Sequence, residues 1–260
     1  MLEYFADCRN GIIKKIDEAL ASLAEESDPL LSWSDFSGRI RSYMLGGKMI
    51  RGALVRLGAE LFLSTGQDFP EDTLDWVGAA MEFFQAGLLV HDDIMDRDTV
   101  RRGSPTVHWQ YTQEAAKTCG CGTVTRFGEG DAELLHYGES QGICAGDLAF
   151  FLGNLCLARA GACVAGKNDR SSPGKDKKQD SQKPGVDSSA LLCFSNTELC
   201  KVGLAQMLDV RFGTSIFGAE PSCDEIITIY RYKTGRYTFS LPLSLGARIA
   251  GAGRDRKSVV

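Results

Sequence analysis

At 260 residues the chain is long enough for one large domain with a substantial core, and 43% hydrophobic with 24% charged residues is the balance of a soluble globular protein. A net charge of −5 and a pI near 5.3 argue against a nucleic-acid binder, so any phosphate binding must be local. Nine cysteines scattered along a chain without a basic, apolar leader predict reduced thiols in a cytoplasmic protein, and no uninterrupted apolar run reaches the length of a transmembrane segment.

Phe5, Ile12, Ile13, Ile16, Leu20 and Leu23 recur at helical spacing, so the chain opens with an amphipathic helix that Asp28-Pro29 closes. A second helical pattern passes through Ile40 and Tyr43 into Leu45-Gly46-Gly47-Lys48-Met49-Ile50-Arg51, where the glycines break it; a third continues with Leu54, Val55, Leu57, Leu61 and Phe62. Two glycines let backbone approach a ligand. The helix N-terminus beyond them offers free N–H groups, with Lys48 and Arg51 about one turn apart to meet an anion. A P-loop is excluded by the missing spacing glycine and Ser/Thr, and a plain turn stays open as the alternative.

Residues from Pro70 to about Asp96 form the predicted central helix, with Glu71 and Asp72 complementing its dipole. Met81, Phe84, Leu88 and Met95 fall on one stripe, which predicts a packed helix that carries its last carboxylates into a cavity. Those carboxylates are Asp92, Asp93 and Asp96, followed by Arg101-Arg102-Gly103. At about 100° per residue, Asp92 and Asp96 lie roughly 40° apart on one face while Asp93 points to the side. Stacked carboxylates repel, so a cation belongs between them. Mg²⁺ fits, because it takes hard oxygens, keeps waters and is completed by substrate phosphates, for which the arginines supply planar forks. A solvated acidic helix end is the bland alternative; an EF-hand lacks its central glycine and distal glutamate.

Beyond Gly103, His108 is either a structural histidine or a group that helps close the site. The stretch from Thr118 to Tyr137 reads as a loop, and its Cys119-Gly-Cys121 pair lacks the second pair a zinc knuckle needs. Gly146-Asp147-Leu148 opens an apolar helix whose small residues predict close packing. Residues 166–189, rich in Gly, Pro, Ser, Lys and Asp, predict a flexible inserted loop within a single domain spanning 1–260. Gln206-Met-Leu-Asp209 places an amide and a carboxylate on one helix face. Lys233-Thr234-Gly235 marks a glycine-permitted irregularity, and Pro242 predicts a kink.

In these motifs the sequence resembles the trans-isoprenyl diphosphate synthases. Asp92-Asp93-Ile-Met-Asp96 is similar to that family's first aspartate-rich motif (DDxxD), preceded by Gln85 and followed by Arg101-Arg102-Gly103. Gly46-Gly47-Lys48 with Arg51 looks like its isopentenyl diphosphate site, and Gln206-x-x-Asp209 and Lys233-Thr234 extend the likeness. The resemblance implies an all-α, isoprenoid-synthase-like bundle around a deep apolar cavity, acting as a homodimer. It implies a Mg²⁺-dependent prenyltransferase of isoprenoid biosynthesis that condenses isopentenyl diphosphate with an allylic diphosphate by ionisation, attack and proton loss. In that reading Asp92 and Asp96 bind Mg²⁺, and Asp93 orients the shell or an arginine. Arg101 and Lys233 hold the allylic diphosphate. Arg102, Lys48, Arg51 and Gln85, beside Gly47, hold the isopentenyl headgroup, while Thr234 and Gln206 offer dipoles to the allylic cation.

Product length is expected to follow from the helix below the aspartates. Gly87 is small where short-chain farnesyl synthases often place an aromatic ring, and Phe84 is the next floor, so a farnesyl, geranylgeranyl or longer product is predicted. The family's second aspartate-rich helix has no counterpart after Lys233. This predicts a C-terminally truncated bundle and leaves two readings open: a synthase, or a non-catalytic, regulatory subunit without a complete metal site.

Overall fold

The computed structural model describes residues 2–24, 28–63, 70–122, 124, 131–168, 187–214, 218 and 220–252. Among them strand is confined to one two-residue hairpin, so the expected all-α class holds. The order is α1 (Leu2–Ala24), a 3-10 turn (Pro29–Leu31), α2 (Trp33–Leu45), α3 (Ile50–Glu60), α4 (Glu71–Met95), β1 (Val100–Arg101), β2 (Ser104–Pro105), α5 (Val107–Thr118), α6 (Ala132–Asn168), α7 (Ser188–Phe212), α8 (Cys223–Tyr230), a π-helical segment (Arg231–Ser240) and α9 (Leu241–Ile249). These helices divide into two compact units. One comprises Met1–Lys15, Met49–Met81 and Asn154–Val260, the other Ile16–Lys48 and Glu82–Gly153.

The first unit is packed through glycine notches. In α3, Gly52 faces Gly78 of α4, with Ile12 of α1 filling the gap; a Cβ on Gly52 would lie 2.6 Å from Ile12 Cδ1 and 3.0 Å from Gly78 O. On the same helix Gly58 lies against the backbone of Leu243, and Gly246 of α9 lies against the backbone of Val55 and Ala59. Small residues let the helix backbones approach until the backbones themselves touch. The ends are fixed locally: Asp187 caps α7 by accepting from Ser189 and Ala190, and Ser222 with Glu225 forms a capping box on α8.

Asp75 of α4 carries a cost in this unit. Its carboxylate rests on Gly11 of α1, and burial pushes its pKa up to about 6, against the pull of Arg56. Between the ordinary carboxylate range and pH 6 the folded state therefore holds more protons than the unfolded one, so stability falls as pH rises through that window. Asp75→Asn should stabilise the protein by about 1 kcal/mol at pH 7, after discounting for partial exposure, and should flatten the slope between pH 4 and 6. Urea unfolding at several pH values checks this; an unchanged slope would refute it.

In the second unit Phe36, Ile40 and Met44 give α2 its buried stripe, and Trp33 Nε1 donates to Leu20 O at 2.9 Å. Arg41 forks onto Asp17 at 2.6 and 3.0 Å, tying α2 to α1.

Several expectations need correcting. Helix α6 begins at Ala132, not Gly146, so only residues 119–131 can belong to the loop expected from 118 to 137. Two glycines within α6 are packing notches: a Cβ on Gly138 would lie 1.9 Å from Thr112 Oγ1, and one on Gly142 2.8 Å from His108 Cβ. Met95, expected on the buried stripe, is 50% exposed because it stands at the last position of α4. Residues 169–186 of the expected insertion lie outside the described residues, and both of its edges are helical. Contrary to the expectation from uninterrupted apolar runs, α6 is over Ala132–Gly161 long and apolar enough to cross a membrane by length and composition, and 44% of its most apolar window is buried.

Candidate active site

The three aspartates at the end of α4 have different surroundings. Asp93 is completely buried, accepts from the Tyr43 hydroxyl at 2.7 Å and is paired with Arg101 Nε. Asp92 is half-buried, with Arg101 Nη2 at 3.6 Å, and Asp96 is exposed. The helical geometry expected from the sequence, one carboxylate to the side and two on one face, is what separates them. Burial raises the pKa of Asp93, while the Tyr43 and Arg101 hydrogen bonds pull it down. Burial, followed by the charge of Asp93, pushes the Tyr43 phenol up, so it remains a donor.

The Arg-Arg-Gly sequence makes a hairpin. Val100 pairs with Pro105 and Arg101 with Ser104, leaving Arg102 and Gly103 as a two-residue turn with φ of +53° and +79°. Both residues are left-handed, as a type I′ turn demands. Glycine adopts this at no cost, whereas Arg102 pays about 1–2 kcal/mol of backbone strain. The turn is pinned from below by Thr106, whose hydroxyl donates to Asp98 O at 2.8 Å and whose amide donates to Thr99 O at 3.0 Å.

That turn aims Arg102 at the glycine pair. A Cβ on Gly47 would lie 2.8 Å from Arg102 Nη1, so Gly47 provides room for a guanidinium. The positive φ in this break falls not on a glycine but on Met49, at +51°, while Gly46 has a right-handed φ of −66°. Lys48 beside it is exposed. Gln85, two turns before Asp92, has a buried Oε1 with no hydrogen-bond partner. An orphaned buried acceptor costs about 1–3 kcal/mol unless something donates to it, so it marks a place where a ligand or water is wanted.

Gly87, expected on the lining stripe, stands close to a neighbouring helix. It faces α6, where a Cβ would lie 2.9 Å from Gly146 O and 3.2 Å from the Phe150 ring. Its smallness serves this helix packing. Phe84 is fully buried, with its ring against Gly153.

The remaining predicted residues belong to the first unit. Arg51 Nη2 donates to Thr238 Oγ1 at 2.7 Å and its guanidinium lies 4.8 Å from the centre of the Tyr237 ring, while its Nε is buried without a partner. Lys233 is ion-paired with Asp209, which joins the two motifs that the sequence showed separately. Gln206 is half-buried and Thr234 exposed. The irregularity expected at Gly235 is a ten-residue π-helical segment, a form frequent at functional sites. Arg236 anchors it by a fork onto buried Glu198, 2.8 Å on each arm, and Lys201 adds a third contact at 2.7 Å. Those contacts hold the Glu198 carboxyl below its usual range.

Tyr43, Tyr237 and Thr238 were missed as functional neighbours. In the sequence Tyr43 is one more member of an apolar stripe, and nothing local signals its hydroxyl's partner. The chain order also conceals His91, whose Nε2 lies 3.1 Å from Ile143 O and 3.4 Å from Asp147, in the notch left by Gly146.

An all-α chain whose central helix ends in Asp-Asp-x-x-Asp and an arginine hairpin belongs to the isoprenoid-synthase class of folds. The chain is a member of the polyprenyl synthetase family, whose sequence profile matches residues 36–259. The short chain isoprenyl diphosphate synthase of Methanocaldococcus jannaschii is 27% identical over 250 residues, 96% of this chain and 57% of that relative. The geranylgeranyl diphosphate synthase of Sulfolobus acidocaldarius is 33% identical over 110 residues, 42% of this chain and 31% of the relative. Among solved structures, geranylgeranyl pyrophosphate synthase from Corynebacterium glutamicum, complexed with isoprenyl diphosphate and magnesium, superposes with a TM-score of 0.67 at 25% identity, covering 97% of this chain and 61% of that one. The chain thus spans 31% and 57% of the length of these two curated relatives.

Proposed function

We propose that this chain carries out head-to-tail prenyl transfer, condensing isopentenyl diphosphate with an allylic diphosphate to give a prenyl diphosphate of farnesyl to geranylgeranyl length or longer. The observation that carries this reading is the division among the aspartates: Asp93 is committed to Tyr43 and Arg101, leaving Asp92 and Asp96 on one face, one turn apart. Among the described residues, no group of three or more His, Cys, Asp or Glu side chains could hold a metal ion. Two carboxylates suit Mg²⁺, which retains waters and takes its other ligands from phosphate oxygens. When bound, the ion neutralises charge that builds on the departing diphosphate.

The side chains divide the remaining work. Lys48, Arg51 and Arg102 bind the isopentenyl headgroup, with Gln85 as a neutral partner and Gly47 clearing the space. Arg101 and Lys233 hold the allylic diphosphate, stabilising the transition state more than the ground state because its charge is more concentrated on those oxygens. Gln206 and Thr234 present dipoles to the allylic cation. No side-chain base is required, since the departing diphosphate can accept the proton. Phe84, not Gly87, is the floor that limits the chain.

The test is release of diphosphate from the two substrates with Mg²⁺, followed by chromatography of the products. Turnover should disappear with a chelator, and Phe84→Ala should lengthen the product. An unchanged product would remove Phe84 as the floor. Absence of turnover by this chain and by a C-terminally extended form would favour the non-catalytic, regulatory subunit.

A further inference from the structure

We propose that Cys119 and Cys121 form a reversible dithiol–disulfide pair, a redox modification site at the C-terminal end of α5 that is separate from the prenyl-transfer residues. Helix α5 ends in a Schellman arrangement. The amide of Gly120 donates to Lys117 O at 3.3 Å and that of Cys121 to Ala116 O at 3.0 Å, around Gly120 with φ +71°. The reversal folds the chain back on itself between the two cysteines. Cys119 Sγ donates to Ala116 O at 3.5 Å and Cys121 Sγ donates back to the carbonyl of Cys119 at 3.9 Å, so the second thiol is turned toward the first cysteine. Both residues are exposed, so a small oxidant reaches them.

The helix C-terminus is the negative end of the dipole, which disfavours thiolate, and the neighbouring thiol raises the pKa of Cys121 further. The resting pair is therefore two thiols, slow to react and stable under reducing conditions. A low-molecular-weight disulfide such as oxidised glutathione supplies the oxidising equivalents. One cysteine, as thiolate, attacks it, forming a mixed disulfide and releasing one glutathione thiolate. The second attacks the protein sulfur of that mixed disulfide and releases the other. Two electrons pass from the protein pair to glutathione disulfide, and the two cysteine protons end on the two glutathione thiols. Only one residue separates the sulfurs, so closure outruns addition of a second glutathione, and an exposed small-ring disulfide is readily reduced again.

Trypsin cuts after Lys117 and Arg126, so one peptide, residues 118–126, carries this pair and no other cysteine. The folded protein is treated with oxidised glutathione, alkylated and digested. The expected result is that this peptide is lighter by about 2 Da and unalkylated, returning to two alkyl groups after reduction. Exposed Cys144, Cys193, Cys200 and Cys223 should remain alkylated in the same sample. Gly120→Val, which disfavours the left-handed turn, should lower the ratio of closed disulfide to glutathione adduct by about tenfold. A peptide 118–126 that stays doubly alkylated, carries glutathione or is cross-linked to another cysteine would overturn the proposal. A Gly120→Val protein that closes as well as the parent would do the same.

Discussion

Asp93→Ala is expected to destabilise the protein by about 3 kcal/mol, whereas Asp92→Ala, one residue away, should leave its unfolding midpoint nearly unchanged and abolish magnesium-dependent turnover. The difference lies in where each carboxylate is held. Asp93 has no exposed surface and satisfies both Tyr43 and Arg101. Removing it leaves a guanidinium that is only 24% exposed with the longer contacts to Asp92 and Asp98, at 3.6 and 3.8 Å, and takes the acceptor from a half-buried phenol hydroxyl. Breaking a fully buried pair costs about 3–5 kcal/mol, and the partial exposure of Arg101 puts this case at the lower end. Asp93→Asn keeps the shape and one acceptor and should cost less. Asp92 is half-buried, with Arg101 at a long 3.6 Å, and so has less burial to lose than Asp93, while a ligand to Mg²⁺ has no substitute. Urea unfolding of both variants beside the diphosphate-release assay separates the roles. Equal destabilisation by the two substitutions would mean that the aspartates share one structural task.

How far this arrangement is legible in the sequence depends on the range of the interactions. The period of 3.6 residues places the central helix at Pro70 to Asp96, and it runs from Glu71 to Met95; it also sends Asp93 to a different side from Asp92 and Asp96. The Gly46-Gly47 break falls between α2 and α3 as expected, for local geometry decides it. Contacts between distant segments are another matter. That Gly47 is small for Arg102, and Gly87 for Gly146 and Phe150, depends on which backbone stands opposite, and spacing along one helix carries no information on that. The same limit explains the early start of α6, where the small size of Gly138 and Gly142 is set by packing against Thr112 and His108. It also explains why Asp209 and Lys233, twenty-four residues apart, read as two motifs when they form one ion pair.

Glycine substitutions provide the second large effect, with opposite signs on two helices of the same unit. Gly246→Ala should destabilise the protein by about 3 kcal/mol or more, a fall in Tm of roughly 6–12 °C, while Gly203→Ala should stabilise it by somewhat under about 1 kcal/mol. Helix propensity alone favours alanine at both positions, by about 1 kcal/mol. At Gly203 in α7 an added Cβ meets nothing within 4 Å, so propensity decides. At Gly246 in α9 it would lie 1.9 Å from Val55 O and 2.6 Å from Ala59 N, both backbone atoms of α3. A side chain can swing aside, but a helix backbone can move only by translating the whole element. Gly58, where an added Cβ would lie 2.2 Å from Leu243 O, closes the same interface from the other direction and would have to shift with it. Because Arg51 stands in the first turn of α3 and is held by Thr238 and Tyr237, that displacement should also loosen the guanidinium proposed to bind the isopentenyl headgroup. Gly246→Ala should therefore raise KM for isopentenyl diphosphate more than KM for the allylic substrate, at a temperature where the variant remains folded. If differential scanning calorimetry gave Gly246→Ala a Tm equal to or above that of the parent, the backbone contact between α3 and α9 would be disproved.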